Sequence, residues 1–165
     1  MDRPTDETTN RSDQGPRRWI RPIGSPEGGG TPVTTTLSSK AKALIERPII
    51  ATVGTVDAEG RPQLTPVWID LDGEHLVFNS ARGRAKAINL AKNPHVAVSV
   101  VDPDDAYNVV VVRGQVEATE EGADAHIDSL AKKYLGVDTY PMRRPGEVRV
   151  KYRVNTDKVV MQSED

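Results

Sequence analysis

Apolar residues change their period several times along the chain, and each change marks an element. Leu37, Ala41, Leu44 and Ile45 recur at helical spacing, and the pattern stops at Pro48. The β-branched and small residues of 49–56 predict a strand, Asp57-Ala58-Glu59-Gly60 a hairpin turn, and residues 63–71 the returning strand. Asp72-Gly73 is a two-residue hairpin signal that leads into a strand over 74–79. A short glycine-containing turn and a helix stopped before Pro94 follow.

Residues 95–101 give a fourth strand, and Asp102-Pro103-Asp104-Asp105 reads as a solvated turn into a fifth over about 107–118. Within that strand Val109 to Val112 is apolar on both faces, as expected where both faces are covered. Thr119 or Glu120 opens a helix carrying Ile127, Leu130, Ala131, Tyr134 and Leu135, and Gly136 closes it. Residues 148–154 alternate cleanly, and Arg149 among them reads as a solvent-facing residue opposite Val148 and Val150 ahead of the alternative, a cation reaching an anionic ligand's tail. A final short strand is expected over 158–161. The sum is a mainly β protein with short helices (α+β) and five to seven antiparallel strands. Hairpins in succession favour a small barrel over an open sheet, because closure removes the edges.

Residues 1–36 have no such period. They hold Pro4, Pro16, Pro22, Pro26 and Pro32, with Gly28-Gly29-Gly30 and Thr34-Thr35-Thr36, and read as a disordered arm ahead of a domain over 37–165.

Charge adds one anomaly. Arg82, Arg84 and Lys86 sit at the start of the helix before Pro94. Cations there oppose the helix dipole, which favours carboxylates at that end. An anion would complete the arrangement, with backbone N–H groups, the Ser80 hydroxyl, guanidiniums and an ammonium converging on a phosphate. The competing reading is a solvated helix start that Ser80 merely caps.

Composition narrows the alternatives. Lys and Arg number 22 against 24 Asp and Glu, so no bulk attraction to nucleic acid is implied. Two Trp, four Tyr and one Phe leave little for base-stacking platforms. The absence of cysteine excludes disulfides and thiolate nucleophiles. His75, His95 and His126 lack close metal-ligand spacing, so no metal is expected. No apolar run is long enough to span a membrane. Trp19-Ile20-Arg21-Pro22 after Arg17-Arg18 does not make an export signal, and a cytoplasmic location is expected.

Four passages, in this order, carry a resemblance: residues 50–62, Thr65-Pro66-Val67-Trp68, residues 76–80, and Lys86-Ala87-Ile88-Asn89-Leu90-Ala91-Lys92-Asn93-Pro94. From about Leu37 to Met161 the chain resembles the pyridoxamine 5′-phosphate oxidase-like split β-barrel family (FMN-binding split barrel-like), most of all its deazaflavin branch, which uses coenzyme F420. The resemblance implies an oxidoreductase that passes hydride from reduced deazaflavin to a small conjugated acceptor, and a homodimer with two interfacial sites. It implies that Ser80 with its neighbour Ala81, Arg84, Lys86 and Asn89 grip the phosphate region. Gln63, Thr65, Pro66 and Val67 would line the ring, and Tyr107 and Asn108 would approach it from the partner subunit.

Flavin mononucleotide (FMN) enzymes of this fold usually carry a second-strand arginine, whereas Thr65-Pro66-Val67-Trp68 has none. An FMN enzyme and a non-enzymatic cofactor-storage protein remain the alternatives, since fold does not fix function. Trp68 reads as barrel packing or as a substrate-pocket wall, and Tyr107 and Tyr140 are the side chains available as proton donors.

Overall fold

In the computed structural model, which describes residues 33–162, eight strands and three helices follow one another. They are β1 (Val33–Thr34), α1 (Ser39–Glu46), β2 (Ala51–Val56), β3 (Pro62–Val67), β4 (Ile69–Asp72), β5 (His75–Ala81), α2 (Ala85–Lys92), β6 (His95–Asp102), β7 (Asp105–Thr119), α3 (Ala123–Leu135) and β8 (Arg149–Gln162). Up to residue 32, the arm expected at the N-terminus lies outside the described residues. Val33 and Thr34 pair with Val160 and Val159.

All pairings are antiparallel, in the order β3-β2-β6-β7-β8-β5-β4, with β1 on β8. The single strand expected over 63–71 is two. Residues up to Val67 pair with β2, Trp68 belongs to neither strand, and Ile69 onward pairs with β5. Those two pieces are the opposite ends of the sheet, so one residue joins its two edges. The sheet must curl until they meet, yet among the described residues no ladder connects β3 to β4. This is a split barrel, closed by the chain rather than by hydrogen bonds.

The strands expected over 148–154 and 158–161 are one, β8, because β7 runs beside it from Lys151 to Gln162. Its register slips between Arg113, opposite Lys158, and Gly114, opposite Thr156, so that Asp157 is skipped. A Cβ at Gly114 would lie 2.0 Å from the Asn155 carbonyl oxygen, so only glycine permits that approach. The core is formed by Ile45, Ile69, Leu76, Val98, Val100, Val110, Val112 and Val154, with Phe78 stacked on Tyr152 at 4.9 Å. Val110 and Val112 are fully buried, while Val109 and Val111 are half-buried on the other face.

Ser38 caps α1, accepting from the Ala41 N–H at 3.2 Å. Helix α3 opens later than expected. Thr119 still belongs to β7, its Oγ1 takes the Glu121 N–H, and left-handed Gly122 is the N-cap. The acidic turn is solvated at Pro103, Asp104 and Asp105 as expected, but Asp102 is buried, ion-paired to Arg47 at 2.6 Å, and accepts from the Asp104 N–H and Asn108 Nδ2.

Candidate functional site

Trp68, at the junction of the sheet's two edges, fixes the position of a cavity of about 290 Å³. Its apolar wall comes from Ile50, Val67, Ile127, Leu130 and Met142. Trp68 stacks on Tyr134 at 5.2 Å and meets the Tyr140 ring edge-on at 5.8 Å. The Tyr134 hydroxyl donates to the Ile49 carbonyl at 2.8 Å and accepts from the Ile69 N–H, tying α3 to the sheet beneath. The loop 137–148 forms the outer wall. Arg143 bonds Asp124 and Asp128, and the Tyr140 N–H donates to Asp128 at 2.8 Å. Trp68 is therefore a cavity wall as well as packing.

The opposite wall is cationic. Arg84, Lys86 and Arg149 all line the cavity. Lys86 is 7% exposed and Arg149 4%. Among the described residues nothing accepts a hydrogen bond from the Lys86 ammonium and no carboxylate pairs with it. Burial, then repulsion from Arg84 and Arg149, holds its pKa below the usual lysine range. Arg149 reaches this position because the loop 137–148 covers the outer face of β8, and its guanidinium lies 4.5 Å from the Tyr140 ring centroid. The solvent-facing reading of Arg149 is thereby overturned.

One carboxylate serves this cluster. Glu147 Oε2 accepts from Arg84 at 3.1 Å. Its Oε1 lies 2.8 Å from Arg149 Nη2, close enough for an ion pair but off hydrogen-bonding alignment, so Nη2 and Nε of Arg149 stay buried without acceptors.

Helix α2 begins beside these groups. Its N-cap is Arg84, extended, with no side-chain cap and no acid in the first turn, which leaves the first N–H groups free of side-chain acceptors. The capping reading of Ser80 is not borne out. Ser80 sits on β5 opposite Val150, and its buried hydroxyl has no partner.

Of the residues expected to bind the cofactor, Pro66, Val67, Arg84 and Lys86 line this cavity, as do Trp68 and Tyr140, and the others do not. Asn89 and Gln63 are tied to each other. Asn89 Nδ2 donates to Gln63 Oε1 at 3.1 Å and to Thr55 Oγ1 at 3.0 Å, bracing α2 against β2 and β3. Thr65 faces Val53 across the ladder, and Ala81 is buried opposite Arg149, its carbonyl accepting from the Arg84 N–H. Tyr107 is exposed at the start of β7, and Asn108 bonds Asp102 there.

Asn79, Glu147 and His126 had no sequence signal. Asn79 lines the cavity and donates to the Ala123 carbonyl at 2.8 Å, with His126 Nδ1 at 3.3 Å from the same nitrogen. That nitrogen is a donor, so Nδ1 accepts and the proton of neutral His126 sits on Nε2, which is buried without a partner. Burial pushes its pKa down to about 4. Among the described residues no cluster of acids and histidines could hold a metal ion, and no helix is long and apolar enough to cross a membrane.

Known proteins share this architecture. An F420 reductase is 34% identical, superposes with a TM-score of 0.63, and matches 72% of this chain and 94% of its own. A conserved hypothetical protein from Mycobacterium tuberculosis is 20% identical over 79% of this chain and 88% of its own, with a TM-score of 0.63. General stress protein 26 from Bacillus anthracis is 17% identical over 76% and 93%, with a TM-score of 0.56. The last two share the fold alone. The pyridoxamine 5′-phosphate oxidase family model matches residues 37–161, and with the reductase it supports an oxidoreductase. A split barrel of this strand order, matched by that family model over most of its length, makes the chain a member of the pyridoxamine 5′-phosphate oxidase family.

Proposed function

We propose that the protein is a coenzyme F420-dependent reductase acting on a small conjugated molecule. The observation that carries this reading is the Lys86 side chain, only 7% exposed, which lines the cavity with Arg84 and Arg149 and has no acidic partner among the described residues. Desolvating a cation without a counter-charge costs several kcal/mol. An anionic ligand group offsets that cost. Arg84, Lys86 and Arg149 line the cavity together and fit a phosphoryl group, and the similar F420 reductase favours the deazaflavin over FMN.

Lys86, Arg84, Arg149 and the open start of α2 would hold the phosphate region, with Pro66, Val67 and Trp68 beside the ring. The cofactor, when bound and reduced, supplies the hydride. The protein's own part is to fix the acceptor against the ring, to exclude water with the Trp68–Tyr140 wall, and to offer a proton, for which Tyr140, a lining residue, is the candidate. A homodimer would bring Tyr107 and Asn108 of a second copy toward this site, together with Thr65 and Gln63 on the strand leading to it.

Titration with coenzyme F420 and, separately, FMN, followed by tryptophan fluorescence or heat, tests this reading. Tight F420 binding that Lys86→Ala weakens by about a hundredfold supports it. Preference for FMN assigns the chain to the flavin enzymes. F420 binding without turnover of any acceptor by saturating reduced cofactor leaves a storage protein.

A further inference from the structure

Three cations line the cavity's polar wall, and the carboxylate ion-paired to two of them cannot easily leave. Glu147 is pinned from both sides of its backbone. Its own N–H donates to the Arg144 carbonyl at 3.1 Å, and the carbonyl of the next residue, Val148, accepts from the Arg82 N–H at 2.9 Å. The side chain is 11% exposed and touches Arg84 and Arg149 at once. Gly146, at φ +74°, makes the turn that delivers it.

Building on the anion-site reading above, we propose that Glu147 sets the ligand's charge, admitting one phosphoryl group and rejecting a diphosphate. With Glu147 in place, Lys86 is the cation left unpaired, and a single phosphoryl group satisfies it. A second, adjoining phosphoryl group would have to share Arg84 and Arg149 with a buried carboxylate. Like charges a few ångströms apart repel, the more so because Glu147 is largely shielded from water. Cofactors carrying one phosphoryl group fit this wall, and dinucleotides bridged by a diphosphate do not. Glu147 is thus a specificity determinant that touches the arginines holding the ligand.

Calorimetric titration of the purified protein with inorganic phosphate and with pyrophosphate tests the proposal. Wild type should bind phosphate more tightly than pyrophosphate. Glu147→Gln keeps the shape and removes the charge, and should gain roughly tenfold or more for pyrophosphate with a smaller gain for phosphate. Glu147→Asp keeps the charge and should keep the wild-type order of preference. An unchanged ratio in Glu147→Gln, or tighter pyrophosphate binding by wild type, overturns the proposal. If Lys86→Ala binds phosphate as wild type does, the anion site itself is wrong, whatever Glu147 does. If neither wild type nor Glu147→Gln binds either anion, both ideas fall.

Discussion

Two lysines of this protein are buried to a similar depth in opposite circumstances. Lys133, on α3, gives its ammonium to the carbonyls of Ile45 and Ile69 at 2.8 and 2.9 Å and to Asp70 at 3.2 Å. It ties the last turn of α1 and the first residue of β4 to α3. Lys86, on α2, has no acceptor among the described residues and faces two guanidiniums. Burial lowers both pKa values, but Asp70 pulls that of Lys133 back up while Arg84 and Arg149 push that of Lys86 further down. A satisfied buried charge is a structural joint. An unsatisfied one is a cost that selection keeps only where something outside the chain completes it.

Removing each charge while keeping its length should therefore give opposite signs. The largest effect is expected for Lys133→Met, which orphans two carbonyls and Asp70 and should lower stability by roughly 3 kcal/mol in urea unfolding. A neutral or stabilising result would dissolve the contrast.

His126, beside Asn79 and within electrostatic reach of Asp70 and Lys133, extends the comparison through pH. Its folded pKa of about 4 lies below the ordinary 6.5, so between those values the unfolded chain binds the extra proton. Stability should be complete above pH 6.5 and fall as pH drops toward 4, losing on the order of 2 to 3 kcal/mol from this group. Unfolding curves across that range should show the slope, and His126→Gln should flatten it.

Lys86→Met should raise the stability of the ligand-free protein by about 1 kcal/mol while abolishing phosphate binding. A fall in melting temperature would mean that Lys86 is a joint after all. The smallest effect is expected at the outer wall. Arg143→Ala removes a partly exposed pair of contacts to Asp124 and Asp128 and should cost about 0.5 kcal/mol, read as faster proteolysis within 137–148 before any change in global unfolding.

Much of this was legible in the sequence because it is local. The Asp72-Gly73 hairpin, the Gly136 stop and the oddly placed cations before Pro94 each reside in a few consecutive residues. What escaped was set by distant chain. Residues 63–71 show no break, since the exchange of partner from β2 to β5 at Trp68 is decided by where those strands lie. Arg149 alternates with valines as a surface residue would, and only the loop covering β8 buries it. Asn89 shows the converse error: its place in the basic helix suggested a ligand, but it is spent on Thr55 and Gln63. Glu147 and His126 become interesting only after the cavity exists.

The order of strands also bears on how the chain is made. The β4–β5 hairpin and the β2–β3 hairpin form early and locally, yet β5 has no second neighbour until β8, the last strand, has been synthesised. Through that interval the edge of β5 from Val77 to Ala81 stands open, and the early half of the protein can be assembled in pieces but not sealed. Topologies that wait on such distant pairings fold slowly. A ribosome pausing before β8 would hold a nascent chain with a sticky flank, and truncation there should yield aggregates rather than a smaller barrel.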